Sequence, residues 1–243
     1  MAKIFCIANQ KGGVGKTTTT VNLAAGLAQL GQRVLMIDLD PQGNATMGSG
    51  VDKRSLALSV YDVLLESASI AEARTRSDKL VAAGCSYDIL GANRDLAGAE
   101  VDKDYDFVLI DCPPSLSMLT LNGLCCADGV VVPMQCEYFA LEGLTDLVNT
   151  IKQVKANLND DLRIIGLLRV MFDPRITLQQ QVSEQLTAHF GDKVFDTVIP
   201  RNVRLAEAPS YGLPGVAFDP ASKGAQAFVA FAQEMLRRLP KMG

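Results

Sequence analysis

Lys11-Gly12-Gly13-Val14-Gly15-Lys16-Thr17-Thr18 follows an apolar run at residues 3–8 through Asn9-Gln10, and it precedes a stretch in which Val21, Ala24, Ala25 and Ala28 recur at helical spacing before Gly31. This order reads as strand, glycine-rich turn and helix, with the helix over residues 17–30 and Gly31 as its C-terminal cap. Glycines let successive backbone N–H groups turn toward one anion, the helix starting near Lys16 adds the positive end of its dipole, and Lys16 adds a full charge. The Thr17 hydroxyl suits Mg²⁺. The cradle then consists of Gly12, Gly13, Val14, Gly15, Lys16, Thr17 and Thr18. A glycine-rich turn alone would be only a tight turn. Here the glycines, the lysine, the threonine and both flanking elements agree on a nucleotide phosphate loop.

Working outward, short runs rich in Val, Ile and Leu recur at residues 33–38, 87–90, 107–111, 129–133, 164–171 and 194–199, with helical patterns at 141–157, 178–190 and 222–239. Near-continuous apolar strands alternating with helices predict an α/β, doubly wound, mostly parallel sheet with helices on both faces. Nothing between the termini reads as a linker, so residues 1–243 are expected to form a single domain. In such a sheet ligands sit at the carboxyl ends of the strands, which singles out the loops after Ala8, Asp38 and Asp111.

Two of those strand ends carry acids. The second ends in Asp38-Leu39-Asp40-Pro41-Gln42-Gly43-Asn44, where alternation puts Asp38 and Asp40 on one side if the strand extends that far. Such a pair can hold Mg²⁺ and orient an attacking water. The fourth ends in Val108-Leu109-Ile110-Asp111-Cys112-Pro113-Pro114, an apolar strand closed by one acid, which fits a Walker B carboxylate holding Mg²⁺ through water. An aspartate after a strand can equally be a turn cap; three aspartates converging on one phosphate loop favour the metal reading. The expected metal set is Thr17, Asp38 and Asp111.

Composition narrows the remaining classes. Hydrophobic residues make up 48% and charged residues 21%, enough for a large core without metals or disulfides. The six cysteines show no Cys-x-x-Cys pair and read as reduced and mostly buried. The first residues lead straight into a strand, and no apolar run nears the ~20 residues that span a bilayer, so a cytoplasmic protein is expected. Net charge is −4, yet residues 163–243 carry ten basic and seven acidic side chains, leaving −7 for residues 1–162. Binding to DNA would have to use a local patch.

The phosphate loop departs from Gly-x-x-x-x-Gly-Lys-Ser/Thr because Lys11 stands where that pattern begins with Gly. Lys11-Gly12-Gly13-x-Gly15-Lys16-Thr17 resembles the deviant Walker A loop of the ParA/MinD family of ATPases. The likeness continues through Asp38–Asn44, Gln135-Cys136-Glu137-Tyr138-Phe139-Ala140-Leu141-Glu142-Gly143 and Val198-Ile199-Pro200-Arg201-Asn202-Val203-Arg204-Leu205-Ala206-Glu207-Ala208-Pro209-Ser210, and it points to the chromosomal, Soj-like ParA subgroup.

The resemblance implies slow, partner-stimulated ATP hydrolysis with Mg²⁺ in an ATP-dependent homodimer. Lys11 would reach the partner's nucleotide, Lys16 would serve its own, and Asp40 would position the water. Base contacts would come from the end of the sixth strand near Met171–Asp173, with Asp173 among them, and from Pro200 and Asn202, although turn chemistry gives the same Pro and Asn. Arg175 and Arg204 would contact double-stranded DNA non-specifically, a ParB-like protein would stimulate turnover, and the protein would associate with the nucleoid. The cargo, chromosome, plasmid or protein cluster, stays open.

A MinD-like membrane-associated ATPase is the alternative. The C-terminal end, Glu234-Met235-Leu236-Arg237-Arg238-Leu239, is briefly basic and apolar, but Pro240 stops it and Ala227, Phe228, Phe231, Ala232 and Met235 read as a core face. A small metabolic kinase lacks an acceptor-substrate motif here, and the loop opening at Lys11 leaves no N-terminal helix-turn-helix in this sequence. One departure from the family is plain: only Val101-Asp102-Lys103-Asp104 separates residues 96–100 from Tyr105, where relatives carry an amphipathic helix. Residues 91–106 still supply 16 for a crossover that needs about a dozen or more.

Overall fold

The computed structural model describes residues 2–92, 104–115, 117–138 and 140–239. The shortened connection after Leu96 therefore lies outside the described residues. The strands are β1 (Lys3–Ile7), β2 (Val34–Asp38), β3 (Thr75–Arg76), β4 (Asp88–Leu90), β5 (Phe107–Asp111), β6 (Gly129–Met134), β7 (Arg163–Phe172) and β8 (Val194–Pro200). They form one sheet in the order β3-β4-β2-β5-β1-β6-β7-β8. Every described pairing is parallel except that of β3 with β4. The seven expected strands are all present, within a residue or so at each end, and the extra strand is the two-residue β3. The strand ending at Asp111 is therefore fifth in chain order.

Alternation along the strands sorts the core into two layers. Cys6, Leu35, Ile37, Val108, Ile110, Val130 and Val132 face one layer, and Phe5, Ile7, Val34, Met36, Phe107, Leu109 and Val131 face the other. The second layer is covered by α1 (Lys16–Gln29), which starts one residue earlier than the periodicity predicts and closes through the Gly31 N–H onto the Ala28 carbonyl at 3.0 Å. Helix α1 is buried on nearly all sides because it lies between the sheet and the C-terminal helix, where a Cβ on Gly26 would come within 3.1 Å of the Ala232 Cβ.

Between β2 and β4 the chain makes four short helices that apolar periodicity does not reveal: α2 (Asn44–Gly48), α3 (Val60–Leu64), α4 (Ile70–Ala73) and α5 (Asp78–Ala82). Local capping holds two of them, since Ser59 with Asp62 and Ser69 with Glu72 form reciprocal capping boxes. Helices α6 (Met118–Cys126), α7 (Ala140–Asn157) and α8 (Thr177–Phe190) follow, then α9 (Val203–Glu207), α10 (Gly215–Phe218) and α11 (Lys223–Arg238). The six cysteines are unpaired; Cys6, Cys85, Cys112 and Cys136 are buried, and Cys125 and Cys126 are exposed. No helix among the described residues is long and apolar enough to cross a membrane.

The edge strand β8 carries an irregularity, with register shifts against β7 on both sides of Arg169. The Asp196 and Thr197 N–H groups both donate to the buried Glu234 carboxylate of α11, at 2.7 and 2.8 Å. Arg169 donates to the Phe195 carbonyl at 2.7 Å, and Arg238 to the Val194 carbonyl at 3.0 Å and to Glu234 at 2.6 Å. The irregular strand thus satisfies its backbone through side chains. Removing a buried carboxylate that serves two amides and a guanidinium leaves all three short of a partner, so Glu234→Ala should lower stability by about 3 kcal/mol, read from the urea midpoint, with Glu234→Gln losing less.

Candidate functional site

The phosphate loop leaves β1 and enters α1 through two glycines that need the left-handed region, Gly13 at φ 73° and Gly15 at φ 76°. A side chain at either would be strained, and nothing lies within 4 Å of where Cβ atoms on Gly12 and Gly13 would sit. Val14 is buried beneath the loop, and the buried Lys16 ammonium donates to the Lys11 carbonyl at 3.0 Å. The loop is folded around its own lysine. Burial lowers the pKa of that ammonium, against the opposing pull of Asp111, Cys112 and Asp40.

Strand alternation carries Asp38 and Asp111 to the layer of α1, one step beyond Met36 and Leu109, and the register of β2 against β5 pairs the two directly. Both are fully buried. Asp111 accepts from the Thr17 hydroxyl at 2.7 Å and the Thr20 hydroxyl at 2.9 Å. Asp38 accepts from the Thr46 N–H and hydroxyl, both at 2.8 Å, and from the Asp40 N–H at 3.1 Å. Burial pushes the Asp111 carboxyl up to about 8, helped by the Asp38 charge and opposed by the two hydroxyls. It pushes Asp38 up to about 6, opposed by the donors from Thr46 and Asp40. Two adjacent carboxylates beside a phosphate loop, short of positive charge, suit a divalent cation. Among the described residues no group of three His, Cys, Asp or Glu side chains could hold a metal alone, so water and phosphate oxygens would have to complete the shell.

Strand β2 ends at Asp38, so Asp40 lies in the following loop and does not share the strand's alternation. It is partly exposed there, and its carboxylate accepts the Gln42 N–H at 3.0 Å. Thr18 and Gly15 line a cavity of about 290 Å³ with Met171, Pro200, Asn202 and Phe228. Asn202 also caps α9 by accepting the Leu205 N–H at 3.3 Å, so cap and cavity wall are the same residue. Asp173 is absent from that lining; Arg175 donates to its carboxylate at 2.9 and 2.7 Å and holds the carboxyl down at about 2. Arg204 is paired with Glu207 at 2.9 Å and Asp219 at 3.4 Å. A larger groove of about 840 Å³ opens near the starts of β7 and β8, away from the phosphate loop.

Sequence reasoning missed Thr20, Thr46 and Gln135. Gln135 donates to the Gly13 carbonyl at 3.1 Å and to the Met171 sulfur at 3.0 Å, joining the phosphate loop to the end of β7. Met171 sits at φ 53°, a strained conformation costing on the order of 1–3 kcal/mol at the wall of the cavity. The hydroxyl pattern Thr17-Thr18-Thr19-Thr20 was the available signal for Thr20, since i and i+3 share a helix face. Thr46 gave none, because α2 has no periodic pattern.

A family model described as an AAA domain matches residues 2–164. The chain is 52% identical to the chromosome-partitioning ATPase Soj of Thermus thermophilus, over 97% of this chain and 96% of that protein. It is similar to the Mycobacterium smegmatis cobyrinic acid a,c-diamide synthase structure with bound ADP and magnesium, with TM-score 0.81 and 37% identity, covering 99% of this chain and 96% of that one. It is also similar to the Pyrococcus furiosus cell division ATPase MinD, with TM-score 0.80 and 25% identity, covering 98% and 99% of the two chains.

The raised carboxyls set a pH dependence. A carboxyl whose folded pKa exceeds its unfolded value contributes stability below the unfolded pKa, and that contribution is lost as pH rises through the folded value. In metal-free buffer the protein should lose stability from about pH 4 up to about pH 6 through Asp38 and up to about pH 8 through Asp111. Asp111→Asn, which cannot ionise, should lose less over that window. Urea unfolding of both proteins in EDTA across it would show parallel curves if the two acids were not strained by burial.

Proposed function

We propose that this chain, which belongs to the ParA/MinD family of P-loop ATPases, is an ATP-hydrolysing switch that dimerises on ATP, binds DNA non-specifically and serves chromosome or plasmid partitioning. The observation that carries the reading is the phosphate loop with Lys11 at its head, backed by Thr17 on the buried Asp111. Gly12, Gly13, Val14, Gly15, Lys16, Thr17 and Thr18 hold the phosphates of ATP, and Pro200 and Asn202 wall the base, with Asp173 beyond them. Thr17, Asp38 and Asp111 hold Mg²⁺, which offsets charge on the phosphates when bound.

Hydrolysis is the in-line attack of water on the γ-phosphorus: a bond forms to the water oxygen, the bond to the β–γ bridging oxygen breaks, and ADP leaves. Asp40 orients that water from its partly exposed loop. Lys16 from the same subunit and Lys11 of the partner subunit offset charge as it develops. A ParB-like protein accelerates this step and returns the dimer to monomers. The relative described as a chromosome-partitioning ATPase supports the ATPase and the partitioning role.

DNA would meet Arg175 and Arg204 in the positively charged part of the chain. Both guanidiniums are engaged by carboxylates of the same chain, so phosphate contact exchanges one anion for another, which weakens each contact and suits reversible binding. Membrane association through the C-terminal helix is not supported, because Phe228, Phe231, Ala232 and Met235 of α11 are buried against α1 and β8.

Asp40→Ala should bind ATP as the parent does, accumulate as a dimer in light scattering, and turn over on the order of 100-fold more slowly with partner present. An unchanged rate would remove Asp40 from the mechanism, and a strict monomer would undercut the switch. Arg175→Glu and Arg204→Glu should weaken duplex retention of the ATP dimer without changing ATP turnover in the absence of DNA. Each lost phosphate contact should flatten the dependence of log affinity on log salt by roughly 0.9. Parental affinity in both variants would put the DNA surface elsewhere.

A further inference from the structure

Residues 9–13, leading into the phosphate loop, are tied to the end of β6 and the segment after it at three places. Asn9 donates its amide to the Pro133 carbonyl at 2.8 Å, and Gln135 donates to the Gly13 carbonyl at 3.1 Å. Between them the Lys11 ammonium pairs with the Glu137 carboxylate. The first two ties end on backbone carbonyls and hold the loop whatever its ligand. The third joins two charged side chains, 48% and 45% exposed, and can be exchanged for another anion without disturbing the backbone. We propose that Glu137 is a positioning residue for Lys11: it holds the ammonium within its own subunit until the phosphates of a second subunit replace the carboxylate. This rests on the reading of Lys11 as a group that acts across a dimer.

The Lys11 N–H donates to the Asn9 side chain at 3.0 Å, so the backbone under the side chain is already fixed and only its rotamers need change on release. Glu137 is placed by its own backbone too, its N–H donating to the Gln135 carbonyl at 3.0 Å. An exposed ion pair of this kind is worth a factor of about two to five, and a two-fold dimer breaks it in both subunits. The pair therefore opposes dimerisation by on the order of tenfold and keeps ligand-free subunits apart.

The test uses the full chain with Mg²⁺ and a non-hydrolysable ATP analogue. Glu137→Gln should tighten dimerisation by on the order of tenfold in sedimentation, with the gain shrinking as salt screens the parental pair. Nucleotide affinity, measured below the dimerisation concentration, should stay within about twofold. In the ligand-free protein, acylation of the Lys11 amine, read from its peptide by mass spectrometry, should speed up about threefold, a change that a purely structural role for Glu137 would not produce. Glu137→Ala should behave alike and guards against a misfolded first variant. Unchanged acylation, or an unchanged or weaker dimer beside a dimerising parent, overturns the proposal alone. A parent that stays monomeric with the analogue fails the reading of Lys11 and takes the proposal with it.

Discussion

Asp111 is a carboxyl group buried at the end of a strand whose other residues are apolar, and its polar oxygens are satisfied there by two hydroxyls from the first turns of α1. Those two hydrogen bonds fix where α1 begins relative to β5. The start of α1 in turn fixes the loop before it, and with it the direction in which the loop's N–H groups and Lys16 can point. Asp38 repeats the arrangement on the neighbouring strand, with Thr46 of α2 as the donor. The sheet thus presents two acids at one level, each steadied by a different short piece of chain, and the cost of burying them is met by the chemistry the site is built for.

The strands could be read from the sequence because most of them are covered on both faces, so that apolar runs rather than alternation mark them. Phe107–Asp111 and Gly129–Met134 are buried along their whole length. The phosphate loop was equally plain, since the backbone conformations at Gly13 and Gly15 leave little choice of residue. Residues 44–82 were opaque for the opposite reason: helices of four or five residues show no period, and the Ser59–Asp62 and Ser69–Glu72 caps that hold two of them went unread. Asp40 was tied in sequence to a strand that stops two residues before it, at the point where the Asp40 N–H turns back onto Asp38.

Contacts between distant loops were beyond sequence reasoning altogether. Gln135 lies 122 residues from Gly13 and touches it, and the strained backbone of Met171 at the cavity wall has no counterpart in the residue pattern. Asn202 shows how one side chain can answer two descriptions. As a helix cap it is ordinary turn chemistry, and it is at the same time part of the wall of the cavity beside the phosphate loop.

The two margins of the sheet have a shared consequence. At one margin β3 is two residues long and runs against its neighbour, with Arg74 and Arg76 drawn onto the buried Asp88. At the other, the Asp196 and Thr197 amides of β8 already belong to Glu234. Both described margins are thus interrupted by side chains, which disfavours continuing one sheet through the edges of two copies. Self-association is left to side chains and loops. A contact of that kind can be made and undone by a change as small as the loss of one phosphate, which an unbroken ladder of backbone hydrogen bonds would resist.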